Sequence, residues 1–529
     1  MATTVSRPRR TLPKVDIKAP EWFERLPQWV TMGGFLIVMM GISTFLRSRY
    51  LSGQFWMDEA ITTGIASHSL SAIPGILRHD GNPPLYYMLL HIWIRIFGAS
   101  ESSTHALSLV FGVLTVPAGM WAGWSLFGRR AGVMAAVLFA FSAFLTQYAQ
   151  ETRMYELMAL LGIFATAGFV HAFVFRRRIY LIMFAVSLAL MLYTQSWGIF
   201  FWLGSVVALL PAYLVSKDRR GLLRDAAIAF VGAGILYLPW LPNFLYQASN
   251  TAAPWDSSPR FGAPVQLSRN LLGGDRVSIA LLLATVIGIA ELFTRSRRRT
   301  RDATVLWTLI ALPAATLLLA WLASQITPAW VPRYFAPVLA AIMLLAAFGC
   351  SRAGVVGIVA IVFSVIFLIN PASYTPSYKS DVRGISGEMT PLLHPGDLVV
   401  SAQPEQIPLT WYYLPQGLRY ASTIGPVADP SYMDWVHALD RLKKADPQAT
   451  LAPLLASLKP GQQILYVRPL TEGADNWMAP WTSLVRRRAA QWGALLAGDP
   501  NLREVAAAPH NYRGACCVAD SAVLYQKVS

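Results

Sequence analysis

The chain has 529 residues, of which 55% are hydrophobic and only 14% charged, with 44 Lys and Arg against 28 Asp and Glu for a net charge of +16. Soluble domains carry about 25% charged residues, so this balance excludes a disordered chain and a soluble nucleic-acid binder; the three Cys exclude a disulfide scaffold. A polytopic helical membrane protein fits, with its excess positive charge in loops on one side of the bilayer.

A spanning helix needs about 17–25 mostly apolar residues. The first such run is Thr31–Leu46, preceded by Arg7, Arg9, Arg10, Lys14 and Lys18. This front is long, and no small-residue cleavage site follows before the polar loop. Residues 1–30 therefore read as the cytoplasmic start of an uncleaved anchor. Further runs follow at His105–Phe127, Ala131–Ala149, Tyr155–Phe175, Ile179–Thr194, Trp197–Val215, Ala226–Tyr246, Val277–Phe293, Thr304–Ser324, Tyr334–Gly349 and Ala353–Ile369, which makes eleven expected spans.

The stretch Pro83–Phe97 is apolar but short, and it carries His91 and Arg95. The distribution of basic residues decides its placement. If it does not span, the clusters Arg129-Arg130, Arg176–Arg178, Lys217–Arg224, Arg295–Arg301 and Arg352 share a side with the basic N-terminus. If it spans, all of them move outside, against the positive-inside rule. A juxtamembrane or re-entrant helix in a long first external loop, from about Arg47 to Thr104, is the expectation. Trp197, Trp240 and Trp330, near span ends, read as an interfacial belt, and Cys350 as a small packing residue.

After Ile369 the composition turns polar and rich in Pro. Strand patterns at Asp397–Gln403, Gln463–Val467 and Ala522–Val528 alternate with helical ones at Val382–Leu393, Met433–Lys444 and Ala479–Leu496. They predict an extracytoplasmic α/β domain over residues 371–529, behind a membrane domain over residues 31–370. Cys516 and Cys517 are adjacent, and free thiols or partner contacts suit them better than a mutual bond.

In this topology Asp58, Glu59, His79, Asp80, Glu151, Arg153 and Arg333 all lie outside, near one interface, while the spans hold few acids, Glu156 and Glu291 among them. A carboxylate can act as general base on an alcohol. Arginines hold phosphate through charge-assisted, often bidentate, hydrogen bonds and stabilise charge growing on a leaving phosphate. Base plus clamp at a membrane surface suits a transferase with a lipid-phosphate donor. Neither a Walker loop nor a Rossmann glycine pattern is present. A lipid-carried donor makes a nucleotide unnecessary there, and His79 and Asp80 with Asp58 or Glu151 could hold a divalent metal such as Mn or Zn.

The segments WMDEA after the first span, HDGNPPLYYMLLHIW, FGASE, YAQETRMYEL and VPRYFAP occur in that order. Together they resemble the polytopic C-type glycosyltransferases, and among them glycosyltransferase family 39, the protein mannosyltransferase and aminoarabinose-transferase-like group. SYKSDVRG and LLHPGDLVV resemble the external domain of its bacterial members. The resemblance implies a polyprenyl-phosphate sugar donor, transfer with inversion on the external face, and two juxtamembrane helices in the first loop. It implies Asp58 as catalytic base, Glu59 as a group positioning base or acceptor, and Arg153, Arg333 and Tyr334 at the donor phosphate. His79, Asp80, Asn82, Glu151 and Tyr155 would line the substrate site. Two departures remove a fixed positive charge: Asn82 stands where many relatives have Lys, and His105 where many have Arg. The acceptor could be an envelope glycan, lipid or protein, in a bacterial plasma membrane. A flippase of lipid-linked saccharides, or a polyprenyl-phosphate binder without turnover, are the competing readings.

Overall fold

A computed structural model describes residues 27–251, 255–295, 299–369, 379–470, 479–508 and 519–528. The N-terminal basic residues and the Cys516-Cys517 pair lie outside the described residues.

Every run expected to span is helical over most of its length. Among the described residues six helices are long and apolar enough to cross a bilayer, or eight if each of two bent pairs counts as one. The expected eleven is not reached by this criterion, because Ile179–Thr194 and Val355–Leu368 are shorter and other runs are interrupted. One break falls at Phe141–Ser142, between the helices Arg129–Ala140 and Ala143–Tyr148. Another bends Arg219–Tyr237 against Leu241–Asn250 by 75°, where Pro239 and Pro242 remove backbone donors. The third bends Ala263–Leu272 against Asp275–Glu291 by 89°. Gly273 and Gly274 turn the chain there at φ +101° and +104°, values open to glycine alone at little cost.

The first loop folds into three short helices, Met57–Ser67, Ile73–Asp80 and Leu85–Phe97. The resemblance implied two. The last has 13 residues, about 20 Å of helix against a hydrocarbon core of about 30 Å, so it is too short to cross. Tyr86, Tyr87, Leu90 and His91 form its buried face, and the His91 ring bonds the Ala66 carbonyl at 2.8 Å.

Arg47 is not a loop residue. It ends the helix Gln28–Ser48 with its side chain fully buried. Its guanidinium donates to the carbonyls of Gly112 and Phe139 and lies beside Glu156. Three helices are thereby tied to the first. Small residues allow close approach elsewhere: a Cβ on Gly162 would stand 2.7 Å from the Pro337 backbone. Trp240 and Trp330 are buried rather than belt residues; Trp330 and Trp197 pack on Phe335 at the start of the Ala336–Arg352 helix. Cys350 is buried among apolar neighbours, as expected.

The C-terminal part is a six-stranded mixed sheet in the order β3-β2-β1-β4-β6-β5. Its strands are β1 Leu398–Ser401, β2 Arg419–Ser422, β3 Gly425–Val427, β4 Gln463–Pro469, β5 Leu502–Ala508 and β6 Asp520–Lys527. β1, β4 and β6 fall on the three predicted strands. β2, β3 and β5 were not predicted; β2 and β3 have only 4 and 3 residues, too few for a period to show. β1 runs parallel to both β2 and β4, and the remaining pairs are antiparallel. Apolar cores lie on both faces of the sheet. A third cluster, Phe55, Ala60, Val382 and Leu409, joins the sheet region to the Met57–Ser67 helix.

Candidate active site

The two ends of the helical bundle differ in chemistry. The span Tyr155–Val174 has Arg153 just before it and Arg176 just after it, with one residue between at each end. Its 20 residues set the two about 30 Å apart. Pro332–Arg352 likewise has Arg333 at one end and Arg352 at the other. At the Arg176 end, guanidinium groups meet acids and rings: Arg176 and Arg178 lie 3.2 and 3.3 Å from Asp225, Arg352 lies 2.9 Å from Asp302, and Arg301 covers Phe175. The opposite end collects the candidate site.

Asp58 sits in the first turn of the Met57–Ser67 helix, where an acid complements the helix dipole. Arg333 Nη2 donates to its Oδ2 at 3.1 Å, and Arg153 Nη2 stands 3.9 Å from the same oxygen. Arg153 also donates to Thr62 Oγ1 at 2.7 Å, one turn further along the same helix face. The Tyr155 hydroxyl accepts from Arg333 Nε at 2.9 Å and from Arg153 at 3.4 Å, which holds the guanidinium pair in place. Arg333 lies over the Trp56 ring at 5.1 Å and near that of Tyr334 at 5.8 Å. The Asp58 and Arg333 side chains keep 23% and 25% of their surface open, against 5% for the deeper Arg153.

Glu59, one residue on, has a different role. A step of about 100° on the helix turns it away from Asp58, and it is fully buried. The backbone N–H groups of Thr152 and Trp56 donate to it at 2.8 and 3.2 Å. His105 Nε2 lies 2.6 Å from Oε1, and Lys379 Nζ donates to both oxygens at 3.0 Å. Burial alone opposes its charge, but Lys379 and His105 outweigh it and hold the carboxyl at about 2. With every oxygen engaged, Glu59 positions the Asp58 helix and does not face the open site. Of the two roles the resemblance implied, positioning the base or the acceptor, this placement fits the first.

Lys379 was not expected from the sequence. Its ammonium also reaches the Gln150 carbonyl and lies 3.4 Å from His105 Nε2. It enters from beyond the last helix of the bundle, 320 residues from Glu59. Its segment, SYKSDVRG, carries part of the resemblance, but no spacing in the sequence links it to Glu59.

Glu151 and Asp80 flank the site. Glu151 Oε2 is buried without a hydrogen-bond partner. Burial pushes its carboxyl up to about 7, against the pull of Lys379 and Arg333. Asp80 accepts from Asn82 Nδ2 at 2.7 Å; burial raises it to about 6, with Arg153 lowering and Asp58 raising it. Asn82 is held through its own carbonyl by Gln247 at 3.1 Å, so it orients Asp80.

His79 points away from this group. Its Nδ1 lies 3.6 Å from Asp434, and its carbonyl accepts from the Trp435 N–H at 3.0 Å. It joins the first loop to the C-terminal part instead of lining the Asp58 site. Among the described residues no group of three His, Cys, Asp or Glu side chains is placed to hold a metal ion, so the grouping of His79 and Asp80 with Asp58 or Glu151 does not form. Asp58, Arg153, Arg333, Tyr155 and Tyr334 do come together, with Glu151 and Asp80 beside them.

A bundle of apolar helices, folded first-loop helices carrying an acid pair, and a small C-terminal sheet docked over them make a fold that solved membrane proteins share. The chain is similar to ArnT from Cupriavidus metallidurans, solved bound to undecaprenyl phosphate, with a TM-score of 0.59 and 15% identity over 95% of this chain and 99% of that one. It is also similar to the apo form of the Archaeoglobus fulgidus oligosaccharyltransferase, with a TM-score of 0.51 and 13% identity over 88% of this chain and 73% of that one. At these identities the likeness is one of fold. No family model and no curated protein matches the chain.

Proposed function

We propose that the chain is a membrane glycosyltransferase that moves a sugar from a polyprenyl-phosphate donor to an acceptor hydroxyl on the extracytoplasmic face, with inversion. The observation that carries this reading is the Asp58 carboxylate set against two arginines at the bundle end opposite the basic clusters. The orientation follows the positive-inside rule, with the Arg176 and Arg352 end cytoplasmic and the C-terminal sheet outside. ArnT, solved with undecaprenyl phosphate, lends the donor class its support.

In this mechanism the donor tail lies among the helices, and its phosphate draws Arg333 and Arg153 away from Asp58. The freed carboxylate takes the proton of the acceptor hydroxyl. The acceptor oxygen forms its bond to the anomeric carbon as the carbon–oxygen bond to phosphate breaks. The electron pair leaves on polyprenyl phosphate, whose charge the guanidinium pair stabilises. Tyr155 and Thr62 fix the arginines, while Glu59, His105 and Lys379 fix the helix that carries the base. Tyr334 stands with the arginines at the phosphate, and Glu151 and Asp80 border the sugar.

Transfer from labelled polyprenyl-phosphate sugar in membranes tests the assignment. Asp58→Ala is expected to abolish transfer while stabilisation by undecaprenyl phosphate persists. Full activity of that variant overturns the assignment, and retained anomeric configuration in the product overturns single displacement. Lipid binding by the native protein without transfer to any acceptor would favour a non-catalytic binder.

A further inference from the structure

The crossover in the C-terminal sheet creates a place for a ligand. From β1 the chain passes to β2 on one side, then returns across to β4 on the other. Both neighbours are parallel to β1. The crevice between the carboxyl ends of β1 and β4 is therefore a topological switch point, where open α/β sheets bind ligands.

The side chains at this crevice are polar, buried and incompletely bonded. Gln403, Glu405 and Gln406 follow β1, and none is more than 4% exposed. Glu405 Oε1 accepts from Gln403 Nε2 and from Trp481 Nε1, each at 2.8 Å. Among the described residues its Oε2, the Gln403 Oε1 and both side-chain ends of Gln406 have no hydrogen-bond partner. Asp520, opposite the last residue of β4, is fully buried with both carboxyl oxygens unbonded. Leaving such groups unpaired opposes their burial, which a stabilising ligand would offset.

The crevice also meets the candidate active site. Gln403 Nε2 stands 4.0 Å from Met57 Sδ, beside Asp58, and the Asp58 charge is felt at Glu405. The arginines lie at the starts of bundle helices, and the crevice belongs to the sheet above. Asp58 stands between them. In an inverting displacement the acceptor approaches opposite the leaving phosphate, hence from the sheet side.

We propose that the Gln403–Gln406 loop and Asp520 form the acceptor subsite, and that the acceptor is an uncharged, hydroxyl-rich glycan. Most of the unbonded atoms are oxygens, which receive the O–H donors of a polyol. The Gln406 amide supplies the complementary donor. Among the described residues no cation stands by Glu405 and Asp520 to balance a phosphorylated acceptor.

The subsite rests on the proposed transferase reading, and one set of measurements separates the two. Saturation-transfer NMR on the full-length protein is run with uncharged gluco-, manno- and arabino-oligosaccharides and with their monophosphate esters. Stabilisation by undecaprenyl phosphate is measured in parallel. Uncharged oligosaccharides are expected to bind the native protein about tenfold tighter than the esters. Gln406→Met and Glu405→Gln are each expected to weaken that binding by about tenfold, with the undecaprenyl-phosphate effect kept. Glu405→Gln preserves shape and the Trp481 bond, so it serves if Gln406→Met does not fold. Unchanged affinity in the variants, preference for the esters, or no binding of uncharged oligosaccharides overturns the subsite. Oligosaccharide binding with no stabilisation by undecaprenyl phosphate upholds the subsite and overturns the donor reading.

Discussion

Asp58 and Glu59 are neighbours in the chain and occupy different environments. Asp58 is part-open between Arg153 and Arg333, whereas Glu59 is sealed beneath four donors. Arg333→Met is expected to lower transfer by about 10²–10³-fold, because a guanidinium aimed at developing phosphate charge is lost. Steady-state kinetics on membranes check this, and an unchanged kcat/KM would remove Arg333 from the clamp. Glu151 yields a pH prediction. Its carboxyl moves from an ordinary 4.5 to about 7 on folding, so the folded state prefers it protonated. The stability from this preference is complete below about 4.5 and is lost as pH rises through about 7. Asp80 acts in the same direction from 3.8 to about 6. Glu151→Gln is therefore expected to flatten the fall of Tm between pH 5 and 8, read by thermal unfolding in detergent. An unaltered slope would refute the account.

At the scale of elements, the Met57–Ser67 helix is clamped from two directions. Glu59 ties its start to the bundle, and Ser431 closes on its far half. A Cβ on Gly64 would run into the Ser431 carbonyl, and neither backbone has a flexible end that could yield. Gly64→Ala is expected to cost about 1–3 kcal/mol of stability and to lower transfer by tilting Asp58 from the arginines. Tm and kcat measured together check it; a stable, fully active variant would show that the helix need not be seated against the sheet region. Lys379 gives a second clamp. Lys379→Ala and Glu59→Gln are expected to be strongly non-additive in stability, since each removes the same buried pair. Additive losses in a double-mutant cycle would indicate separate roles.

For the whole molecule, the separation of charge along the bundle is the main organising feature. The +16 excess includes the clusters at the Arg176 and Arg352 end, while the candidate site stands at the other. Single cysteines at Arg220 and Ala452, both exposed, report on this in a background without Cys516 and Cys517. A membrane-impermeant maleimide applied to intact cells is expected to label the residue at 452 and to spare the one at 220. The reverse pattern would invert the topology and move the reaction to the cytoplasmic face.

Local patterning was enough to mark the helices, because twenty apolar residues in a row bury or face lipid whatever their neighbours are. It also marked three of six strands, and it brought Asp58, Arg153 and Arg333 under one heading through the alternation of sides. Which of the marked groups touch was beyond it. Glu59 and Asp58 look equivalent in a linear WMDEA and are separated only by one helical step of about 100°. Likewise His79 and Asp80 are adjacent, yet one joins Asp434 and the other stays with Asn82. Lys379 and the Gln403–Gln406 loop lie more than 300 positions from the helix they meet. The number and kind of apolar segments are thus written in short-range hydrophobicity, which one chain segment carries alone. The pairing of charges at the site depends on long-range packing, and only the folded chain decides it.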